Sequence, residues 1–267
     1  MHNTEFKIKD YNIYKLDTSA KKSTCPICSA DRKKKNQKCM MLDWDRGLGT
    51  CQHCGEVIQL HTYERDKTLD VYIKPIIKPE NQPTQNKIVQ WFESRGISKL
   101  TLDQAKVTQG KEWMPQTGKN ENTIQFNYFI NNELINIKYR DGRKNFKLVK
   151  DAEKVFYNLD NIVGHDWCVI VEGEMDALSL YEAGIRNVVS VPNGATLNRL
   201  NLDYLDNCIE YFEDKSKIIL ATDSDEAGQN LQQELIRRFG AEVCWLASFG
   251  DYKDANELII ANGRNAI

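Results

Sequence analysis

Four cysteines in two tight pairs constrain the start of this chain more than any other feature. Cys25-Pro-Ile-Cys28 and Cys51-Gln-His-Cys54 are separated by 22 residues. Each pair is a knuckle that can set two thiolates about 3.5 to 4 Å apart on one tetrahedral ion, so Cys25, Cys28, Cys51 and Cys54 are expected to hold zinc. The spacer carries Arg32, Lys33, Lys34, Lys35 and Lys38, then MMLDWDRGLGTCQHCG, which reads as two ribbon strands turning at Asp45-Arg46-Gly47. Zinc staples such a small unit. The basic loop and Trp44 are in addition candidates to touch nucleic acid, and Cys39 and His53, between or beside the ligands, are alternative donors. Cys168, Cys208 and Cys244 sit in apolar stretches and read as packing residues.

Composition matters in three places. With 267 residues, 41% hydrophobic and 28% charged, the chain can bury a core and is neither disordered nor fibrous in type. No apolar run approaches the roughly 18 residues of a membrane helix, and no apolar core follows the amino-terminal lysines, so no membrane or secretory segment is expected and a cytoplasmic location is. The net charge of −2 hides a segregation: +3 over residues 1–66, +1 over 67–83, +5 over 84–158 and −11 over 159–267. A basic front suits a polyanion and an acidic last third suits bound cations, although two solvated faces of opposite sign would also look like this.

Pro75, Pro79 and Pro83 interrupt any strand or helix between residues 67 and 85, which reads as a semi-extended linker. It separates a zinc-ribbon unit (1–66) from a larger part, itself divided into a basic subdomain (86–158) and an α/β subdomain (159–267). Ile88, Trp91, Phe92 and Arg95 follow helical spacing, and Gly96 stops the helix before a second short one. TIQFNYFI, ELINIKYR and KNFKLV, split by Asn131-Asn132 and Asp141-Gly142, read as an antiparallel meander. WCVIVEG, NVVSVP, KIILATD and AEVCWLA are continuous apolar strands alternating with helical patterns, the mark of a parallel sheet sandwiched by helices.

Three of these strands run into acidic turns. Glu172 leaves the carboxyl end of the first, and Asp176 lies in the following helical turn. Asp223 and Asp225 follow Ile218–Thr222, and two carboxylates one residue apart in extended backbone face the same side. Asp254 begins a further helix. Singly, each reads as a helix cap or a solvated turn. Together, at one sheet edge, they repel unless cations neutralise them, and oxygen-only ligands suit magnesium or manganese.

VEGEMDALS and ATDSDEAG resemble the two signature motifs of the TOPRIM fold. The order of zinc ribbon, linker, Arg95-Gly96-Ile97-Ser98, Lys138-Tyr139-Arg140-Asp141 and Lys253-Asp254-Ala255-Asn256-Glu257 resembles, over nearly the whole chain, the primase part of phage primase-helicases and the related Twinkle proteins. The resemblance implies a DNA primase that builds short RNA primers on single-stranded DNA from ribonucleoside triphosphates. It implies catalytic roles for Glu172, Asp176, Asp223, Asp225 and Asp254, with magnesium on Glu172, Asp223 and Asp225. It implies nucleotide or template binding by Lys138, Arg140, Lys144, Asn193, Gly194 and Lys253, although the basic hairpin could instead be a solvated edge. No G-x-x-x-x-G-K-[ST] occurs, so a replicative helicase is expected in trans, or in cis on a longer protein. A TOPRIM nuclease and a non-catalytic RecR-like recombination mediator are the alternatives.

Overall fold

Short alternating strands and cysteine knuckles draw the first unit together, and long apolar strands the second. The computed structural model describes residues 20–44, 48–59, 71–78, 81–194 and 202–266, which fall into two compact units, Met1–Thr68 and Leu69–Ile267. Among the described residues no helix is long and apolar enough to cross a membrane.

In the first unit β1 (Lys22–Ser23), β2 (Met40–Asp43), β3 (Leu48–Cys51) and β4 (Val57–Gln59) form an antiparallel sheet in sequence order. Met40 and Leu42 point inward from β2 and meet Ile58. A Cβ at Gly49 would stand 3.0 Å from the side chains of both Met40 and Ile58, so a larger residue would force them apart. The turn expected at Asp45-Arg46-Gly47 lies outside the described residues. Trp44, a candidate to touch nucleic acid, is half-buried against this core, and its indole N–H donates to the Ala20 carbonyl at 2.7 Å.

Part of the proline-bearing stretch lies along the second unit. The Ile73 N–H donates to the Asp151 carbonyl at 2.9 Å, Lys74 pairs with Glu133, and Gln82–Pro83 forms β5. Positions 67–70 and 79–80 lie outside the described residues. α1 (Asn86–Glu93) buries Phe92, and the chain then turns through Gly96 at φ +75°, where a Cβ would also strike Ile259 at 2.8 Å. Ser98 caps α2 (Lys99–Gln104).

β6 (Thr108–Met114), β7 (Lys119–Ile130), β8 (Glu133–Asp141) and β9 (Phe146–Leu148) extend β5 into a five-stranded antiparallel sheet in sequence order. β6 is not among the strands expected from sequence, because its TQGKEWM has no alternating apolar pattern and is held by pairing along β7. Asn131 and Asn132, at φ +51° and +62°, form the two-residue turn between β7 and β8.

The parallel sheet contains β10 (Trp167–Val171), β11 (Val188–Ser190), β12 (Lys217–Ala221) and β13 (Cys244–Leu246), in the order β11-β10-β12-β13. α3 (Glu174–Glu182) leads from β10 to β11, α4 (Asp203–Cys208) precedes β12, α5 (Glu226–Phe239) leads from β12 to β13, and α6 (Ala255–Asn262) follows. The chain leaves β10 toward one side and β12 toward the other. Right-handed crossovers of opposite sense put α3 and α5 on opposite faces and open a crevice between the carboxyl ends of β10 and β12. Val171 stands opposite Ala221 in register, so the residues after both strands emerge together. Tyr157 bridges to Ser190 and closes part of the β11 edge. One apolar cluster runs from Phe92 through Phe126, Tyr157 and Ile170 to Leu235, so residues 86–158 and 159–267 share a core.

Candidate active site

The crevice is acidic because both of its strands end in carboxylates. Asp176, in the first turn of α3, Asp223, after β12, and Asp254, the N-cap of α6, each offer an oxygen within 4.8 Å of the others. Among the described residues these three carboxylates form one group. It differs from the expected magnesium set of Glu172, Asp223 and Asp225 by containing Asp176 and Asp254. Burial first, then Asp254, Asp223 and Glu172, push the Asp176 carboxyl well above the usual range, while the Asn256 N–H at 3.1 Å opposes the shift. Crowded carboxylates with oxygen-only donors fit a divalent magnesium- or manganese-like ion. Glu172 follows β10 at the crevice, and a Cβ on Gly194 would stand 3.6 Å from its Oε1, so the turn of Asn193 and Gly194 closes on that carboxylate.

Asp225 stands elsewhere for a local reason. It caps α5 by accepting from the Gly228 N–H at 3.0 Å, and that bond, then Lys253, holds its carboxyl below the usual range. Gly228 brings this turn hard against the strand end, since a Cβ there would lie 2.2 Å from the Asp223 carbonyl oxygen. Lys253 Nζ lies 2.9 Å from Asp223 Oδ2 and 3.0 Å from Asp225 Oδ2.

Asn256, in the Lys253–Glu257 motif but without a role assigned from sequence, ties the site together. Its backbone N–H holds Asp176, and its amide donates to the Arg95 carbonyl at 3.0 Å and to Ser179 Oγ at 2.8 Å. The turn Arg95-Gly96-Ile97-Ser98 is thus fixed to the acidic crevice. Glu182 on α3 accepts from the Ser98 N–H and from the Ser98 and Thr101 hydroxyls, clamping the same turn.

The basic residues of β8 divide. Lys138 is buried and donates to both oxygens of Glu174, at 2.8 and 3.0 Å, while the Tyr128 hydroxyl donates to Glu174 Oε1. The Glu174 side chain is only 4% exposed, so its charge depends on this partner. Lys138→Met is expected to cost about 3 to 5 kcal/mol of stability by stranding that charge. Most of the loss should return in the double variant Lys138→Met, Glu174→Gln. Urea unfolding checks this, and simple addition of the two single effects would refute the coupling.

Arg140 stacks over Trp91 at 4.5 Å, and Arg95 lies over the same ring at 4.7 Å. Phe146 adds a ring, 43% exposed, near both Arg140 and Lys138. Burial, then Arg95, lower the Arg140 pKa, as two guanidiniums on one indole should. From sequence Trp91 and Arg95 show helix periodicity, and Arg95 also opens the Arg95–Ser98 motif; their i,i+4 spacing was the available signal for a shared stack. Lys144 sits at φ +64° in an exposed turn that Asp141 braces by accepting from the Arg143 and Asn145 N–H groups at 2.8 and 2.9 Å.

In the first unit the four cysteines form a second cluster. Cys25 Sγ lies 3.7 Å from Cys54 Sγ, and Cys28 Sγ the same distance from Cys51 Sγ. Cys25 Sγ accepts from the Ile27 and Cys28 N–H groups and Cys51 Sγ from those of His53 and Cys54, which favours thiolates. This donor set fits a tetrahedral zinc-like ion. Cys39 Sγ is 3.7 Å from Cys51 Sγ and 3.8 Å from Ser29 Oγ, a fifth thiol at the edge of the group.

Comparison with known proteins adds the following. Residues 169–259 match the family described as Toprim-like. A primase homolog protein of Arabidopsis thaliana is 36% identical over 199 residues, 68% of this chain and 57% of that protein. The Twinkle homolog protein, chloroplastic/mitochondrial, of the same plant is 34% identical over 201 residues, 69% of this chain and 28% of that protein. The chain therefore spans less than two thirds of the length of either relative. The crystal structure of the primase fragment of the bacteriophage T7 primase-helicase protein has the same fold, with a TM-score of 0.57 at 22% identity over 92% of this chain and 97% of that one.

Proposed function

We propose that this chain, which carries a Toprim domain and has relatives named as primase and Twinkle homologues, is a DNA primase that makes short RNA primers on single-stranded DNA from ribonucleoside triphosphates. The observation that carries the reading is the meeting of Asp176, Asp223 and Asp254 in the crevice, with Asn256 joining them to Arg95 of the cation and ring stack. Clustered carboxylates suit cations; cations stacked on rings suit a polyanion that carries bases.

Nucleotidyl transfer requires an activated 3'-hydroxyl, a triphosphate held in line and departure of pyrophosphate. Magnesium or manganese, held by Asp176, Asp223 and Asp254 with Glu172 and Asp225 alongside, would neutralise the phosphate charge and lower the pKa of the hydroxyl. Glu172, at the end of β10, stands where a general base can receive the hydroxyl proton. Gly194 lies against the Glu172 carboxylate, and Asn193 borders the same turn. Arg140, Lys144 and Lys253 supply charged donors to phosphate oxygens, and Trp91 and Phe146 offer ring faces to bases. Lys138 acts by fixing Glu174, two residues from Glu172. The four-cysteine unit, with zinc bound, presents Lys33, Lys34, Lys35 and Lys38 to the template, and tethering raises its local concentration there. A replicative helicase, in cis on a longer protein or in trans, would deliver the single strand.

A priming assay tests this. The chain is incubated with mixed-sequence single-stranded DNA, labelled ribonucleotides and magnesium, beside Glu172→Gln and Cys51→Ser variants. Short RNA is expected from the parent, none from Glu172→Gln, and RNA without template preference from Cys51→Ser. DNA shortening in place of RNA would point to a nuclease, and DNA binding without synthesis to a mediator.

A further inference from the structure

Lys253 is placed where a second cation would go. Its ammonium bridges Asp223 Oδ2 and Asp225 Oδ2 at 2.9 and 3.0 Å, with the side chain 46% exposed. Its backbone is fixed on both sides: the carbonyl accepts from the Ser224 N–H at 3.0 Å and the N–H donates to Glu257 Oε2 at 3.0 Å. The next residue, Asp254, belongs to the three-carboxylate group. Asp223 therefore serves two cation positions, one shared with Asp176 and Asp254 and one occupied by Lys253.

We infer that Lys253 is a tethered counter-ion that competes with divalent metal for Asp223 and Asp225, so that the free chain takes one metal ion and takes it weakly. A divalent ion seated against Asp223 must either share that carboxylate with an ammonium or drive the ammonium out. Repulsion between the two cations is strong at such range, and the flexible lysine stem, half open to solvent, is the part that can move. Phosphate oxygens of an incoming triphosphate would give the displaced ammonium a new partner. Full metal loading would then be tied to the presence of nucleotide. The inference rests on the primase reading for the identity of that nucleotide, but the competition itself concerns only metal and protein.

The test is manganese binding without nucleotide, followed by electron paramagnetic resonance of free Mn²⁺ and by calorimetry. Lys253→Met is expected to bind Mn²⁺ at least about tenfold more tightly than the parent, equivalent to about 1.4 kcal/mol, and to show a second site at accessible concentrations. Lys253→Arg, which keeps the charge, is expected to stay within about threefold of the parent. Unchanged or weaker binding by Lys253→Met, or tightening by Lys253→Arg to the same degree, would overturn the inference. RNA synthesis by the parent is scored separately, so a chain that primes but shows no tightening loses this inference alone, and a chain that tightens without priming loses the primase reading alone.

Discussion

Asp223→Asn is expected to lower magnesium-dependent RNA synthesis by about 10³-fold or more, close to 4 kcal/mol of transition-state stabilisation, without weakening the fold of the metal-free protein. Asp223 is the carboxylate on which the site converges, since it groups with Asp176 and Asp254 and also holds Lys253. An amide in its place is uncharged and binds hard cations poorly, so both cation positions suffer at once. The stability side runs the other way. Burial is the main cause that lifts the Asp223 carboxyl above its usual pKa, with Asp254 and Asp225 adding to it and Lys253 opposing it. A carboxyl whose pKa is raised in the folded state prefers to be neutral there, so at neutral pH, above the ordinary carboxylate range, ionisation works against folding. A neutral amide removes that cost. Single-turnover RNA synthesis and thermal unfolding in chelator, measured on the same preparation, check both halves. A variant that retains more than a tenth of the activity, or that unfolds well below the parent, would refute the assignment of Asp223 to a charge-binding role.

The parallel sheet and its acidic edge were legible because each rests on a local pattern. WCVIV and KIILA are continuous apolar runs; Glu172 follows the first directly and Asp223 follows the second after Thr222. The grouping of the carboxylates was not legible. Which of five acidic side chains meet depends on how α6 returns against α3, and the Asn256 N–H bond to Asp176 joins residues 80 positions apart. The resemblance puts Asp225 among the metal ligands, and the structure adds that one of its oxygens caps α5 through the Gly228 N–H while the other meets Lys253. Lys138 shows the same limit. Its place two residues before Arg140 marked it as part of a basic face, but the buried carboxylate of Glu174 that engages it lies on a different element. β6 escaped notice because its strand character comes from pairing with β7, and residues 45–47 and 195–200 lie outside what the structure describes. Local chemistry is read from local sequence; partnership across elements is not.

Stripping metal from the four-cysteine unit is expected to unfold residues 20–59 while residues 81–266 keep their structure. The buried apolar cluster of the first unit consists of Cys25, Cys39, Met40, Leu42, Cys51 and Ile58. Half of these are cysteines, and two are knuckle residues that a bound ion would hold in place. So small a core cannot offset the entropy of ordering the strands around it, and in comparable small sites the metal supplies about 10 to 16 kcal/mol of apparent binding free energy. The second unit has its own core, running from Phe92 to Leu235, and owes nothing to that ion. Hydrogen exchange read by mass spectrometry, before and after a zinc chelator, resolves the two units in one experiment. Protection should vanish around Met40–Asp43 and persist at Trp167–Val171, and zinc should restore it. Cys51→Ser should mimic the chelator. Cys39→Ser should not, because the N–H groups that steady thiolates converge on Cys25 and Cys51, whereas the Cys39 thiol touches only Cys51 Sγ and Ser29 Oγ, and the bond from the Gln52 N–H to the Cys39 carbonyl survives the substitution. Equal loss of protection in both variants would make Cys39 a ligand, and unchanged protection after chelation would mean that the sheet stands without metal.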